Sequence, residues 1–589
     1  KFYEELYRSR SDRSSTTPQK ADKVKVEIAQ FTEEELVTGL KSMKTGKARD
    51  GKGFVAEMLK AGGARLRSVL LQLMNSVLGA GTPTPTEWHE SVMKILFKGG
   101  DAAQAKNYRP ICVMPLLYKL LAVLLQQRLT PSLDAQQSRD QAGFRKKFST
   151  LDHLHTLTQV QEKLEEWQIP LWTCFIDYEK AFDSIEHDAI WAALAKQGIA
   201  DGYIELLQRL YADQTGRVSA DSMLNRSFML GRGTKQGDPL SSLLFNAVLE
   251  DVFRDLRPKW LRKKYGLEMS LGAECYLTSM CFADDVVLLA TKAKHIQEMI
   301  ADLRAAAAER GLKIHSGKTK VLPNEAAASS TRLPAYFEID GEKYAVLGPE
   351  ESTKYLGRKV RFKDPNLAEF DNRVAKAWGA FSKYKKELTD RQHRLKDRLK
   401  LFDAVITPTL LYGCESWTLR VDQQKRLRTL QRKMLRMVLN AKRRILTPEP
   451  SSATDVETDK DDGEDEYSEP DELEPWQVFL QRTARWTEEQ LDKANLQQWT
   501  VQWRRRKWAW AAKLLDKDNH KWSAVATKWQ PLLHTDGPCG RRHARPKRRW
   551  EQDFVDYLRV ACPSELRHWH ELAADQHWWE SHSEAFASF

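Results

Sequence analysis

The sequence predicts a multidomain α+β protein that ends in a mainly helical C-terminal module. Its 589 residues are too many for one core at about 100 to 200 residues per domain. The central third alternates short apolar runs with helical patterns, which predicts mixed sheets and helices. Beyond it, apolar residues recur at helical spacing among many lysines and arginines.

Charge narrows the partners. With 93 Lys and Arg against 81 Asp and Glu, the net +12 points to a polyanion, either nucleic acid or an anionic membrane surface. Residues 454–474 hold twelve acids and one base, so the remainder carries +23. The seven cysteines form no Cys-x-x-Cys pair, which argues against a secreted disulfide framework or a zinc knuckle and fits a reducing, intracellular setting. The most apolar stretch, Leu116 to Leu125, is interrupted by Lys119 and falls short of the roughly 18 apolar residues of a membrane span, so no membrane association by spanning helices is expected. The opening KFYEELYRSR has no apolar signal block and reads as the start of a fragment of a longer product.

Taken in order, residues 1–90 read as a helical N-terminal extension and 91–365 as the mixed central region. Residues 366–446 read as a basic helical region: 375–446 alone carry nineteen Lys and Arg against six acids. There Leu427, Leu430, Met434 and Met437 form an apolar stripe, with Lys425, Arg428, Arg432 and Arg436 on another face, a pattern suited to phosphate contact. Residues 447–475 are acidic and poor in large apolar side chains, and read as a disordered linker. Residues 476–589 hold twelve of the nineteen tryptophans among basic runs such as WRRRKWAWAAK. That pattern fits a nucleic-acid-binding module with stacking platforms, and equally a Trp-rich helical core.

Two segments carry chemistry. In LWTCFIDYEKAFDSIEHDAI (171–190) a β-prone run delivers Asp177 at its end, and a helical pattern begins near Asp183, which reads as a helix cap. In ECYLTSMCFADDVVLLATKA (274–293), apolar runs flank Asp284 and Asp285, the pattern of a hairpin with two acids at its tip. If the strands are neighbours in one sheet, the three carboxylates converge and repel unless cations are present. Hard oxygen donors suit Mg²⁺, and a pair of such ions serves in-line phosphoryl displacement. Nucleotidyl transfer is the predicted chemistry.

These motifs resemble those of reverse transcriptases of non-LTR (LINE-type) retrotransposons, with group II intron reverse transcriptases as more distant relatives. FIDYEKAFD is similar to the family's first catalytic motif, GTKQGDPLSSLLFN (233–246) to its second, FADD (282–285) to its third, GLKIHSGKTKVL (311–322) to its fourth and KYLG (354–357) to its primer-grip motif. KTGKARDGKGFVAEMLK (44–60), ILFKGGDAAQAKNYRPICVMPLLYKLL (95–121) and QAGFRKKFSTLDHL (141–154) resemble the N-terminal extension and fingers. The resemblance implies a right-hand polymerase, with fingers, a palm built on an antiparallel sheet, and a helical thumb over 366–446.

Carried over by position, it makes Asp177, Asp284 and Asp285 the metal ligands, for two Mg²⁺ ions with Mn²⁺ as a substitute. Phe182 would exclude a ribose 2′-hydroxyl, Gln236 and Gly237 would contact the nucleotide, and Lys98 and Arg109 would clamp its triphosphate. Lys318 would neutralise or protonate the departing pyrophosphate, and Tyr355 and Gly357 would hold the primer. Locally, Asp238 and Pro239 read as the cap and first turn of a helix.

The implied activity is RNA-templated DNA synthesis from a 3′-hydroxyl, with deoxynucleoside triphosphates, a template RNA (the element's own transcript) and a primer at nicked target DNA. The endonuclease is expected from a region preceding this chain, and the site of action is the nucleus, with the protein also in the cytoplasm. In the tail, His543-Ala544-Arg545-Pro546 reads as sequence-independent phosphate binding, and His568, His570, His577 and His582 as part of an amphipathic tail. The alternatives are a maturase-like binder of structured RNA and a catalytically defective RNA-binding remnant.

Overall fold

A computed structural model describes residues 1–10, 28–79, 81–220, 223–224, 226–269, 275–330, 332–446, 472–531 and 548–589. The expected linker core (447–471) and the His543–Pro546 segment lie outside the described residues. The chain divides into two compact units, and this division is coarser than the five segments read from the sequence. The first comprises 1–357, 361–363 and the segment that begins at His520; the second comprises 358–360, 364–519 and the last helices.

The first unit is built on a six-stranded sheet in the order Tyr336–Ile339, Glu342–Val346, Lys320–Pro323, Trp172–Ile176, Asp285–Ala290, Ser279–Phe282. Trp172–Ile176 is buried at all five positions, as a strand covered on both faces must be. It pairs antiparallel with Asp285–Ala290 on one side and with Lys320–Pro323 on the other. The sheet is not wholly antiparallel, because Lys320–Pro323 runs parallel to Glu342–Val346. That corrects the sequence expectation: the helix Glu325–Ser330 lies between the two strands, a crossover that a tight turn could not make.

A second sheet joins Glu90–Phe97 to Tyr108–Val113 in a hairpin and to Thr215–Ala220 in parallel. Two long helices fill the core. Leu116–Gln136 is apolar around much of its circumference and Ser241–Arg262 buries thirteen side chains or backbones, so both run through the interior. Among the described residues no helix is long and apolar enough to cross a membrane. The N-terminal extension contributes Glu33–Ser42, which starts with a Thr32/Glu35 capping box. Glu35 also receives Arg128 at 2.7 and 2.8 Å, which ties this helix to Leu116–Gln136.

In the second unit, Val421–Val438 turns Leu427, Leu430 and Met434 inward, as the stripe predicts. Of its cationic face, Arg432 pairs with Glu488 and Arg428 reaches Thr500, so part of that charge serves internal packing. The Trp-rich segment shares a core with this helix: Trp499 and Trp503 pack beside Phe402, Leu427 and Met434. Nine of its twelve tryptophans are buried, and of the twelve Trp476 alone is exposed. The helical-core reading therefore holds, and stacking platforms are not what most of these rings supply. Lys507, with no exposed surface, lies among Trp503, Trp550 and Phe554 and pairs with Asp553. The acidic segment begins and ends at one place, because Ile445–Leu446 pairs with Glu472–Leu473.

Candidate active site

Register brings the acids together. Val286 is opposite Ile176, and Asp285 and Asp177 are the next residues toward the same end of these adjacent antiparallel strands. Strand 279–282 returns to 285–290 through a two-residue turn, Ala283–Asp284, with Asp285 facing Phe282. Asp284 thus occupies the turn while Asp285 opens the strand. Ala283 has φ 55°, a left-handed conformation that a non-glycine residue holds only when its surroundings impose it.

Charge coupling confirms the proximity. Burial and the neighbouring Asp177 charge raise the Asp284 pKa. Asp285 reaches the solvent, yet desolvation and the Asp284 and Asp177 charges push it to about 6. Asp177 and Asp284 line a cleft of about 1680 Å³. Lys318 Nζ lies 3.6 Å from Asp177 Oδ1. The Lys318 loop also fixes the backbone: His315 donates its N–H to the Asp177 carbonyl at 2.7 Å, and Asp177 donates its own to Thr319 Oγ1 at 3.2 Å.

Lys98 and Arg109 also line the cleft and are exposed at the loop end of the 90–97/108–113 hairpin. Burial, then the Arg109 charge, lowers the Lys98 pKa. Phe182 lies flat on Phe245, centroids 4.3 Å apart, with Phe144 edge-on at 6.1 Å, and lines the cleft. Gly237 has φ 112°, and a Cβ there would meet the Cys112 carbonyl at 3.0 Å, so both conformation and space favour glycine.

Asp183 departs from the capping expectation. It is the third residue of the short helix Ala181–Ser184, whose cap position is Lys180. Its buried carboxylate accepts from Tyr7 Oη at 2.7 Å and from Gln236 Nε2 at 3.2 and 3.1 Å. Burial holds its pKa above the usual carboxylate range although both donors favour the charged form. The helix after Gln236 starts at Ser241, later than the Pro239 expectation; Asp238 accepts the Leu240 N–H at 3.0 Å and Tyr118 Oη at 2.7 Å.

The Tyr355 side chain is buried, its hydroxyl is 2.9 Å from His153 Nδ1, and its ring packs on Phe175 and His153. Enclosed in this way, the side chain packs against the sheet, and Gly357 in the turn that follows it is exposed. Leu356 and Gly357, with φ 45° and 75°, form a tight turn.

Two groups of residues escaped sequence reasoning. Tyr7 sits in a stretch that reads only as polar and aromatic. Gln141 and Gly143 hold the acidic hairpin: Gln141 Oε1 accepts the N–H of Gly143 at 2.8 Å and of Ala283 at 2.9 Å. A Cβ on Gly143 would lie 2.3 Å from Ala283 N. The glycine inside QAGF is the only local signal for this close approach.

Among the described residues no group of three or more His, Cys, Asp or Glu is arranged as a preformed metal cage. The donors at the strand ends are nonetheless all carboxylate oxygens, and burial with neighbouring negative charge raises the pKa values of Asp284 and Asp285, which suits a hard divalent cation that would relieve their repulsion.

Comparison with known proteins gives the same assignment for this region. Residues 98–360 match the family model described as reverse transcriptase (RNA-dependent DNA polymerase). The chain is 26% identical over 366 residues to the Retrovirus-related Pol polyprotein from type-1 retrotransposable element R2 of Popillia japonica, covering 60% of this chain and 49% of that protein. It is 24% identical over 421 residues to the Probable RNA-directed DNA polymerase from transposon BS of Drosophila melanogaster, covering 69% and 44%. The chain thus spans about half the length of these relatives. An apo telomerase from Candida tropicalis aligns with a TM-score of 0.35 at 12% identity, over 60% of this chain and 63% of that one. Residues 98–360, which contain the three converging aspartates, are therefore the part of the chain that is similar to reverse transcriptases.

Proposed function

We propose that the chain is an RNA-directed DNA polymerase of a non-LTR retrotransposon, with group II intron reverse transcriptases as more distant kin. It extends a DNA 3′-hydroxyl on an RNA template, with its element's transcript as template and nicked target DNA as primer. The observation that carries this reading is the meeting of Asp177 with Asp284 and Asp285 at one end of two adjacent strands, where Asp177 and Asp284 line a cleft. In right-hand terms, the six-stranded sheet is the palm, the 90–97/108–113 hairpin belongs to the fingers, and 366–446 is the thumb. An endonuclease supplied by another region would nick the target, and the protein would be present in nucleus and cytoplasm and act in the nucleus.

Asp177 and Asp284, with Asp285 beside them, would hold two Mg²⁺ ions, with Mn²⁺ as a substitute. Bound there, the ions supply activation of the attacking hydroxyl and charge stabilisation of the leaving oxygen. The chain's own residues do the rest. Lys98 and Arg109 offset the triphosphate charge from the cleft wall. Phe182, held on Phe245, presents a flat ring beneath the incoming sugar. Asp183 fixes the Gln236 amide beside the nascent base pair. Lys318 is held at Asp177, where its ammonium can meet the departing pyrophosphate.

Primer extension on an RNA template, with Asp284→Ala in parallel, tests the reading. We expect Mg²⁺-dependent DNA product from the unaltered chain and its loss in the variant. RNA binding without product from the unaltered chain would favour the binding-only alternatives.

A further inference from the structure

The segment 520–531, distant in sequence from every catalytic motif, is part of the first unit. Its helix Trp522–Lys528 packs along Thr150–Glu166. Lys163 Nζ donates to the carbonyls of Ala526 and Thr527, at 2.7 and 2.9 Å, and of Trp529. Ser523 Oγ donates to Asp152 at 2.9 Å, and Thr527 Oγ1 lies 2.9 Å from His155 Nε2. The Ser523 and Thr527 bonds are buried and the Lys163 bonds partly so, which makes this a built contact.

One bond leads further. Trp522 Nε1 donates to Asp140 Oδ1 at 2.6 Å, while Arg257 holds Oδ2 at 2.8 Å and Arg139 lies over the indole at 3.8 Å. The backbone carbonyl of the same Asp140 accepts the Cys281 N–H at 2.8 Å, and the Cys281 carbonyl accepts the Ala142 N–H at 2.8 Å. The next residue, Gln141, holds the Ala283 N–H. The indole thus fixes the residue from which a backbone and amide ladder runs directly to the Ala283–Asp284 turn.

We propose that Trp522 is a positioning residue for the polymerase site. Through Asp140 and Gln141 it holds the left-handed turn at Ala283, and with it Asp284 and Asp285, in the orientation that faces Asp177. The catalytic hairpin is then completed by a segment about 240 residues downstream in the chain, beyond the Trp-rich helices. The role assigned to the aspartates rests on the polymerase reading, whereas the physical coupling does not.

The experiment is hydrogen–deuterium exchange on the full chain with Trp522→Phe, which keeps an aromatic ring and removes the donor. Trp529→Phe, in the same segment but away from Asp140, is the control. We expect exchange across 279–288 to speed up about tenfold in Trp522→Phe, the scale of one lost bond to a charged acceptor, with the control unchanged. Hairpin exchange within about twofold of the unaltered chain, or equal acceleration in both variants, overturns the coupling. A rise in half-saturating Mg²⁺ for primer extension in Trp522→Phe, without a change in the nucleotide KM, is expected alongside. Exchange needs no turnover, so it decides the coupling separately from the polymerase reading, which primer extension by the unaltered chain decides.

Discussion

Tyr7 and Asp183, 176 positions apart, share a buried 2.7 Å hydrogen bond, and the same carboxylate receives the Gln236 amide. A side chain from the N-terminal stretch is thereby built into the wall that holds the proposed nucleotide contact. Neighbouring bonds reinforce the placement, with Arg232 donating to the Leu6 carbonyl at 2.7 Å and Gly231 to that of Tyr7 at 2.9 Å.

Tyr7→Phe removes one of the donors to Asp183 and leaves a buried carboxylate less satisfied, a loss of about 1.5 to 3 kcal/mol for a bond to a charged group. The expected outcome is a nucleotide KM raised several-fold with a smaller change in kcat, read by steady-state primer extension. A variant whose KM matches the unaltered chain would separate Tyr7 from nucleotide positioning.

Phe182→Val removes the ring that Phe245 and Phe144 support at the cleft surface. Ribonucleotide incorporation should rise relative to deoxyribonucleotide, measured by competing the two on one template. Unchanged sugar selectivity would remove Phe182 from this role.

Gly143→Ala places a methyl where Ala283 N is 2.3 Å away, so the acidic turn must shift. Overpacking of this kind costs about 1 to 3 kcal/mol in stability. Primer extension should fall by more than the unfolded fraction explains, because the displaced turn carries Asp284. Full activity together with native stability would contradict the contact.

Much of this was legible before the structure. Asp177 could be read because a β-prone run ends on it, and Asp284 and Asp285 because apolar runs flank them. For Tyr355 the YLG motif gives the turn but not the direction of the ring, which packs against Phe175 and His153. Asp183 looked like a cap because sequence shows only its neighbours in the chain, and its partners are Tyr7 and Gln236. The tryptophans were ambiguous for a related reason. A ring that stacks on a base and one that fills a core have the same spacing, and packing across helices separates them.

His153 gives the fold a dependence on acid. Burial lowers its pKa from 6.5 to about 4. The unfolded chain takes up this proton near 6.5 and the folded chain does not until about 4, so stability is full above 6.5 and falls as pH drops through that window. The loss approaches about 3 kcal/mol at its acid end. Denaturant unfolding at pH 7 and pH 4.5 should show this difference, and His153→Phe should shrink it. An undiminished difference in the variant would place the sensitivity elsewhere.

The pairing of Ile445–Leu446 with Glu472–Leu473 joins the two ends that flank the acidic stretch directly to each other. Its two feet are joined whatever is strung between them, and closing a longer loop raises the entropic cost only slowly, by about 0.6 kcal/mol per doubling. Insertions, deletions or a grafted reporter at this point can therefore vary freely while the helices on either side keep their packing.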